Sequence, residues 1–309
     1  MADEGLIDEL RTAVSGTVSA GEPLARHTTL KVGGPAAALV RAESAGDVAV
    51  VARVCGRHRR PWLVLGRGSN LLVADAGWPG VVVTLGRAFR GVEVEGESVV
   101  AGAAEPMPVL AGTVARHGLG GLEFGVAIPG TLGGAVRMNA GAHGRELRVV
   151  LAWAEVVRLG RDGAVERWDA ADLEMTYRHT ALPADAVVLR ARLDLAHCEP
   201  GRLAAEMEQM RRWRRAHQPV NSPSCGSVFR NPPGDSAGRL IETAGLKGYT
   251  VGGATVSAVH ANFITVAASA TAADVHAVIS AARAAVLERH GVALETEVVL
   301  AGFPGAGGL

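Results

Sequence analysis

Cysteine is scarce in this chain, with only Cys55, Cys198 and Cys225 among 309 residues. Three widely separated thiols without a C-x-x-C pair argue against a disulfide framework or a structural zinc site. No H-E-x-x-H or similar spacing occurs among the ten histidines, so no metal site is expected. There is no excess of charge of either sign: Lys plus Arg and Asp plus Glu are 31 each. No global field therefore draws in nucleic acid or a membrane surface, and neither is expected as a partner. No apolar run reaches membrane-spanning length, and the opening Met-Ala-Asp-Glu-Gly has no basic or apolar signal region. A reducing, cytoplasmic setting is the expectation. Two nucleotide signatures are also missing, G-x-x-x-x-G-K-[ST] and a strict G-x-G-x-x-G opening a helix after a strand.

Aromatic residues make up only 4%, but hydrophobic residues reach 48%, enough at this length for two or three domains with a large core. The 40 glycines are scattered through apolar segments, which calls for many tight turns and close backbone approaches. Helical spacing over 4–15 predicts an amphipathic lead-in helix. Ser44-Ala-Gly-Asp47 offers helix-cap chemistry before 48–60. Short apolar runs at 62–65, 71–73 and 80–85 read as strands of a small α/β unit. A second unit runs from about 86 to 200. It holds a strand at 91–94, a helix at 107–117, a hairpin 153–159/164–168 turning at Arg161-Asp-Gly163, and a strand at 186–195. Beyond 200 the pattern predicts helices at 203–217, 236–244 and 272–290 and a final strand at 292–300.

Three glycine-rich stretches suit a phosphate. Gly66-Arg-Gly-Ser-Asn70 leaves a short strand, where consecutive N–H groups can converge on an anion, with Ser69 and Asn70 adding donors. In Gly125–Gly141, the Pro129-Gly130 turn and Thr131-Leu-Gly-Gly read as a loop feeding a short helix, whose N-terminus favours anions. Val32-Gly-Gly-Pro35 is a weaker instance. Close packing of backbones explains any one of them equally well. Two at strand exits in adjacent units favour a dinucleotide-type cofactor.

The segment Asn221–Pro232 combines prolines, glycine, a thiol and three hydroxyls. Such a stretch is expected to bury little apolar area and to serve placement of side chains. Ser227, after Gly226 and before Val228-Phe229, would present its hydroxyl from the end of a rigid turn; Cys225 reads as a small filler.

Together these segments resemble the UDP-N-acetylenolpyruvoylglucosamine reductase family. The resemblance runs through His27–Pro35, Leu65–Val73, Ile128–Gly141, Tyr177-Arg178, Gly226–Pro232, Ala237–Glu242, Gly245–Gly248, Val259–Phe263 and Leu294–Val298 in the family's order. It implies an α+β fold: a two-subdomain FAD-binding region of the PCMH type plus a third, substrate-binding α+β subdomain. The implied boundaries are an N-terminal helix at 1–20, FAD-binding subdomains at 21–85 and 86–200, and the substrate subdomain at 201–309. The compact third unit and the short Ala140–Gly144 continuation look like the family's shorter type.

The resemblance further implies FAD as cofactor, NADPH as co-substrate and UDP-N-acetylglucosamine enolpyruvate as substrate, with the chain acting as a monomer. Cofactor contacts are expected at Gly66, Gly68, Ser69, Asn70, Ile128, Pro129, Gly130, Thr131, Gly133, Gly134, Asn139, Ala140 and Gly141. Substrate contacts are expected at Tyr177, Arg178, Arg230, Asn231, His260 and Asn262. Arg178, just after a helix-forming segment, would hold the substrate carboxylate; Ser227 would give the proton. Alternation puts Glu295 and Glu297 on one strand face, so spacing does not choose between them; the family motif selects Glu297 as the polarising acid. The basic run Arg211–Arg215 is a further candidate for the diphosphate. Three departures stand out: Arg67 where glycine is frequent, Arg230 where lysine is frequent, and Val259 in place of a basic residue.

Overall fold

The computed structural model describes residues 4–158 and 163–304. Its helices and largely antiparallel sheets give the α+β class, arranged in two units. The first comprises the chain up to Gly21, Ala37–Gly66 and Pro79–Arg212; the second comprises Glu22–Ala36, Arg67–Trp78 and the chain from Trp213 onward.

In the first unit, helix α1 (Glu4–Ala13) turns Leu6 and Leu10 inward. Ser44 caps α2 (Ala45–His58) by accepting from the Asp47 amide at 3.0 Å, and Arg59 ends it in the left-handed conformation at φ 52°. Asp47 is a buried carboxylate that accepts from Ser15 N and Oγ at 2.9 Å and from Glu43 N at 2.8 Å. Burial alone would push its pKa up, but these bonds outweigh it and hold the group below its ordinary value. Both helices pack their apolar faces, including Val48, Val51, Val54 and Cys55, with strands of a four-stranded sheet. Its order is 17–20, 36–42, 78–85, 62–64. Each fully buried Val or Leu here contributes roughly 1.5–3 kcal/mol.

The larger sheet of this unit is antiparallel, in the order 165–169, 151–158, 186–194, 98–102, 92–95. Helices α3 (Met107–Arg116) and α4 (Leu132–Met138) supply its core partners. In α3 the buried set Met107, Leu110, Ala111, Val114 and Ala115 follows helical spacing. Helix α5 runs Pro200–His217.

The second unit holds α6 (Ala237–Thr243), α7 (Ala272–His290) and a three-stranded antiparallel sheet, 250–251, 254–256, 264–266. A parallel pair joins Leu71–Val73 to Val299–Ala301. Helix α7 starts on a capping box between Thr271 and Asp274. Asp75 adds a second cap from a distant loop, accepting from the Ala272 and Ala273 amides at 2.8 and 2.9 Å. Gly291 ends the helix at φ 67°.

Four sequence expectations need correction or restriction. The final strand forms only at Val299–Ala301; 292–298 is irregular, with Thr296 in a single bridge to Phe229. Its partner is the Ser227 loop, whose flanking prolines cannot sustain a ladder. The segment before Tyr177 is a series of turns, not a helix. Far from burying little, the Asn221–Pro232 loop buries Cys225, Val228 and Phe229 almost completely. Finally, Arg161 and Asp162 of the expected hairpin turn lie outside the described residues, while the two strands they join pair as expected.

Candidate active site

In the first unit the glycine-rich stretch does fold as a loop into the short helix α4, capped by Thr131, whose hydroxyl accepts from Gly134 N at 3.5 Å. The expected anion site at that N-terminus is not available, however. Leu132 N donates to Glu105 O and Gly133 N to Ala103 O, both at 2.9 Å, so the helix's first amides are already committed. The amides of Gly130 and Thr131, just before it, have no partner among the described residues. Gly66 lies against this loop: a Cβ there would meet Thr131 Oγ1 at 2.9 Å. Ile128, Pro129, Gly130, Ala140 and Gly141 are half-buried. Asn139, by contrast, is 0% exposed and so has no surface with which to touch a ligand.

Tyr177 and Arg178 form the corner of a tight turn closed by two 3.1 Å bonds between Thr176 and His179. Arg178 takes φ 55°, a left-handed conformation uncommon for a long side chain. Its guanidinium donates to Gly141 O at 3.2 Å and stands 5.0 Å from the Tyr177 ring centroid. Nearby Arg137 is half-buried and donates to the carbonyls of Leu182 and Pro183 at 2.8 Å and to that of Ala186. Burial lowers its pKa, and Asp185 partly offsets this. No sequence signal pointed to this role for Arg137.

In the second unit, Gly68 sits at φ 59°, where a Cβ would lie 2.3 Å from His27 O. The amides of Arg67, Gly68, Ser69 and Asn70 have no partner among the described residues, so the loop offers a run of donors. Such a nest suits an anionic group, and an extended diphosphate cofactor fits its donor chemistry. Asn70 uses its side chain inward, donating to Glu297 O at 3.0 Å.

The same unit brings Ser227 and Glu297 into neighbouring backbone. Glu297 N donates to Val228 O at 2.8 Å and Arg230 N to Glu295 O at 2.9 Å. Gly226 at φ 76° makes the turn, and the Ser227 hydroxyl is half-buried without a partner among the described residues. The two glutamates differ in surroundings: the Glu295 side chain is 79% exposed, whereas Glu297 is half-buried. Strand alternation could not have shown this, because no strand forms there. Cys225 is buried, which pushes its thiol up to about 12 and leaves it no role as an acid.

Asn262, 3% exposed, accepts from Phe229 N at 2.9 Å and donates to Phe229 O at 2.8 Å. Its side chain therefore holds the Ser227 loop and is turned away from the substrate contact expected of it. His260 accepts from the Asn262 amide at Nδ1, which places the neutral ring's proton on Nε2. Burial, then Lys247, lowers its pKa and favours that neutral form. Arg230 lies 3.9 Å from Glu295, with a buried Nε unpartnered among the described residues, and Asn231 Oδ1 accepts from Ala237 N. At the end of α5, Arg214 donates to Gln218 and Trp213 stacks on His217 at 4.6 Å.

Residues 36–168 match the family model described as FAD binding domain. Residues 218–301 match UDP-N-acetylenolpyruvoylglucosamine reductase, C-terminal domain. The chain is 42% identical to the UDP-N-acetylenolpyruvoylglucosamine reductase of Bacillus velezensis, over 97% of this chain and 99% of that protein. It is 46% identical to that of Acidiphilium cryptum, over 94% and 93%. Among solved structures, the reductase of Thermus caldophilus superposes with a TM-score of 0.80 at 37% identity, covering 93% of this chain and 98% of that one. Likeness of this degree, end to end and in both sequence and fold, makes the chain a member of the UDP-N-acetylenolpyruvoylglucosamine reductase family.

Proposed function

We propose that this protein reduces UDP-N-acetylglucosamine enolpyruvate to UDP-N-acetylmuramate with FAD as bound cofactor and NADPH as reductant. It would act as a cytoplasmic monomer in the supply of peptidoglycan precursors for cell-wall growth, cell shape and division. The observation that carries the reading is the Ser227 turn: a half-buried hydroxyl, without a partner among the described residues, whose loop is bonded directly to Glu297.

The substrate holds a C=C bond conjugated to a carboxylate. Hydride addition at its terminal CH2 carbon moves the π pair onto the neighbouring carbon and its carboxylate. The flavin, when bound, supplies that hydride after taking it from NADPH. Everything else falls to the chain. Arg178 binds the carboxylate through its planar fork, where negative charge accumulates. Glu297 supplies the acid that polarises the same group. Ser227 gives its hydroxyl proton to the carbanionic carbon and regains one from solvent. Together these steps add one hydride and one proton, and NADPH leaves as NADP+.

For the cofactor, the amides of Arg67–Asn70 and of Gly130-Thr131, which have no partner among the described residues, would hold anionic oxygens. Ser69, Ile128, Pro129, Gly133, Gly134, Ala140 and Gly141 would supply further contacts. Tyr177, Arg230, Asn231 and the Nε2–H of His260 would bind the substrate.

Anaerobic stopped-flow separates the two half-reactions. Ser227→Ala should leave flavin reduction by NADPH intact and slow flavin reoxidation by the enolpyruvyl substrate by roughly 10²–10⁴-fold, the usual range for loss of a positioned acid. Unchanged reoxidation would remove Ser227 from the proton-donor role.

A further inference from the structure

Arg178 is held in an unfavourable backbone conformation, and one buried side chain fastens both ends of its support. A left-handed residue other than glycine costs about 1–2 kcal/mol and persists only where its surroundings over-determine it. The turn that carries Arg178 begins at Thr176, and the acceptor of its guanidinium is Gly141 O. Asn139 Nδ2 donates to Thr176 O at 2.8 Å, fixing the turn. The same nitrogen donates to Glu146 Oε2 at 3.1 Å. Glu146 pairs with Gly141 across the small 141–142/145–146 hairpin, so this bond fixes the acceptor's strand. Asn139 Oδ1 accepts from Arg148 N at 3.0 Å and anchors the chain leaving the hairpin. Asn139 is itself left-handed, at φ 41°, as the C-cap of α4. On the far side of the turn, Thr180 Oγ1 donates to Arg137 O at 3.0 Å, returning the chain to the same helix end.

We infer that Asn139 is a positioning residue for Arg178: its amide sets the spacing between the Tyr177-Arg178 turn and the hairpin carbonyl that orients the guanidinium. The inference rests on the proposed carboxylate-binding role of Arg178. A cap that served only α4 would need the left-handed backbone but not the bond to Thr176 O. Removing the amide therefore frees both ends of the Arg178–Gly141 contact while leaving the guanidinium itself in the protein.

The test uses the flavin-loaded enzyme and Asn139→Gly, which keeps the left-handed backbone and deletes the amide. Reoxidation by UDP-N-acetylglucosamine enolpyruvate should slow about 10²-fold, the scale of a misplaced binding group, with flavin reduction by NADPH within about threefold of the unaltered enzyme. In an Arg178→Lys background the same substitution should change reoxidation by less than about threefold, because the group it positions is already altered. Unslowed reoxidation, equal slowing of both half-reactions, or an undiminished effect on Arg178→Lys would each overturn the inference.

Amide hydrogen exchange of the unaltered holoenzyme gives a second, activity-free readout, and it decides alone should Asn139→Gly fail to retain flavin. A clamped turn should exchange at 176–180 within about tenfold of α4, as parts of one cooperative unit. Exchange there about a hundredfold faster would show that nothing holds the turn, and would likewise overturn the inference. Failure of the unaltered enzyme to reoxidise with the enolpyruvyl sugar is a different result, and it counts against the proposed reaction instead.

Discussion

Replacing Asn262 tests how the Ser227 loop is held. Phe229 lies opposite Thr296 between the Glu297 N–Val228 O and Arg230 N–Glu295 O bonds, so its own amide and carbonyl face away from 292–298, and at 2% exposure both need other partners inside the protein. Asn262 provides both with one side chain, in bonds of 2.9 and 2.8 Å. Its amide thus stands in for a strand neighbour on the loop's other edge. Asn262→Ala leaves the N–H and the C=O unsatisfied at once. Each buried orphan costs about 1–3 kcal/mol, so the two together should remove about 2–6 kcal/mol. Urea denaturation of the holoenzyme measures this as a fall in midpoint at unchanged slope. A loss below about 0.5 kcal/mol, the ordinary range of a surface substitution, would refute the argument.

Asn262→Asp separates hydrogen bonding from volume. The carboxylate still accepts from Phe229 N, but it faces Phe229 O without a proton to donate. Burial against a carbonyl raises its folded pKa above the unfolded value of about 3.9. A group whose pKa is raised on folding takes up a proton, and its stability contribution is lost as pH rises through the folded value. The Asp variant should therefore be less stable than the unaltered protein at pH 7 and recover part of the difference toward pH 5. A deficit that does not vary with pH would show that the bond to Phe229 O carries no weight.

Two further outcomes follow from single groups. Gly68→Ala combines a left-handed φ of 59° with a Cβ 2.3 Å from His27 O, so the Arg67–Asn70 donors should lose their alignment. Purified protein should carry less flavin, read from the 450 nm absorbance per chain; full occupancy would exclude that loop from the cofactor site. Asp47, whose pKa is held low in the fold, stabilises the first unit above its ordinary value of 3.8, and that support is lost as pH falls through the folded value. Acid unfolding of Asp47→Asn should consequently show a smaller pH-dependent loss of stability than the unaltered chain, and an identical acid profile would contradict the assignment.

Much of the fold was legible because its signals are local. Ser44 and Asp47 announced α2, the spacing of Met107 to Ala115 announced α3, and α7 fell on the expected 272–290. What escaped were features set by distant partners. The strand expected at 292–300 gave way because its neighbour is a proline-bounded loop, a fact no window around Glu297 contains. The N-terminus of α4 looked like an anion site, but Glu105 and Ala103, more than twenty-five residues earlier in the chain, supply carbonyls to its amides.

The two asparagines show why a polar residue inside a motif need not be a ligand contact. Asn139 and Asn262 stand inside glycine-rich or aromatic motifs, and a polar residue in such company reads as a ligand contact. Physically, a loop that bends sharply near a ligand has backbone groups that neither helix nor strand can satisfy, and excluding water makes them costly. A short amide is well suited to the task, since it offers donors and an acceptor at once. Asn139 also tolerates the left-handed conformation that the end of α4 requires. The Ser227 hydroxyl, without a partner among the described residues, sits on a loop whose backbone a neighbouring polar side chain satisfies. In this chain the residues that hold the site are therefore as polar as the residues that form it, and burial and bonding, not residue type, tell them apart.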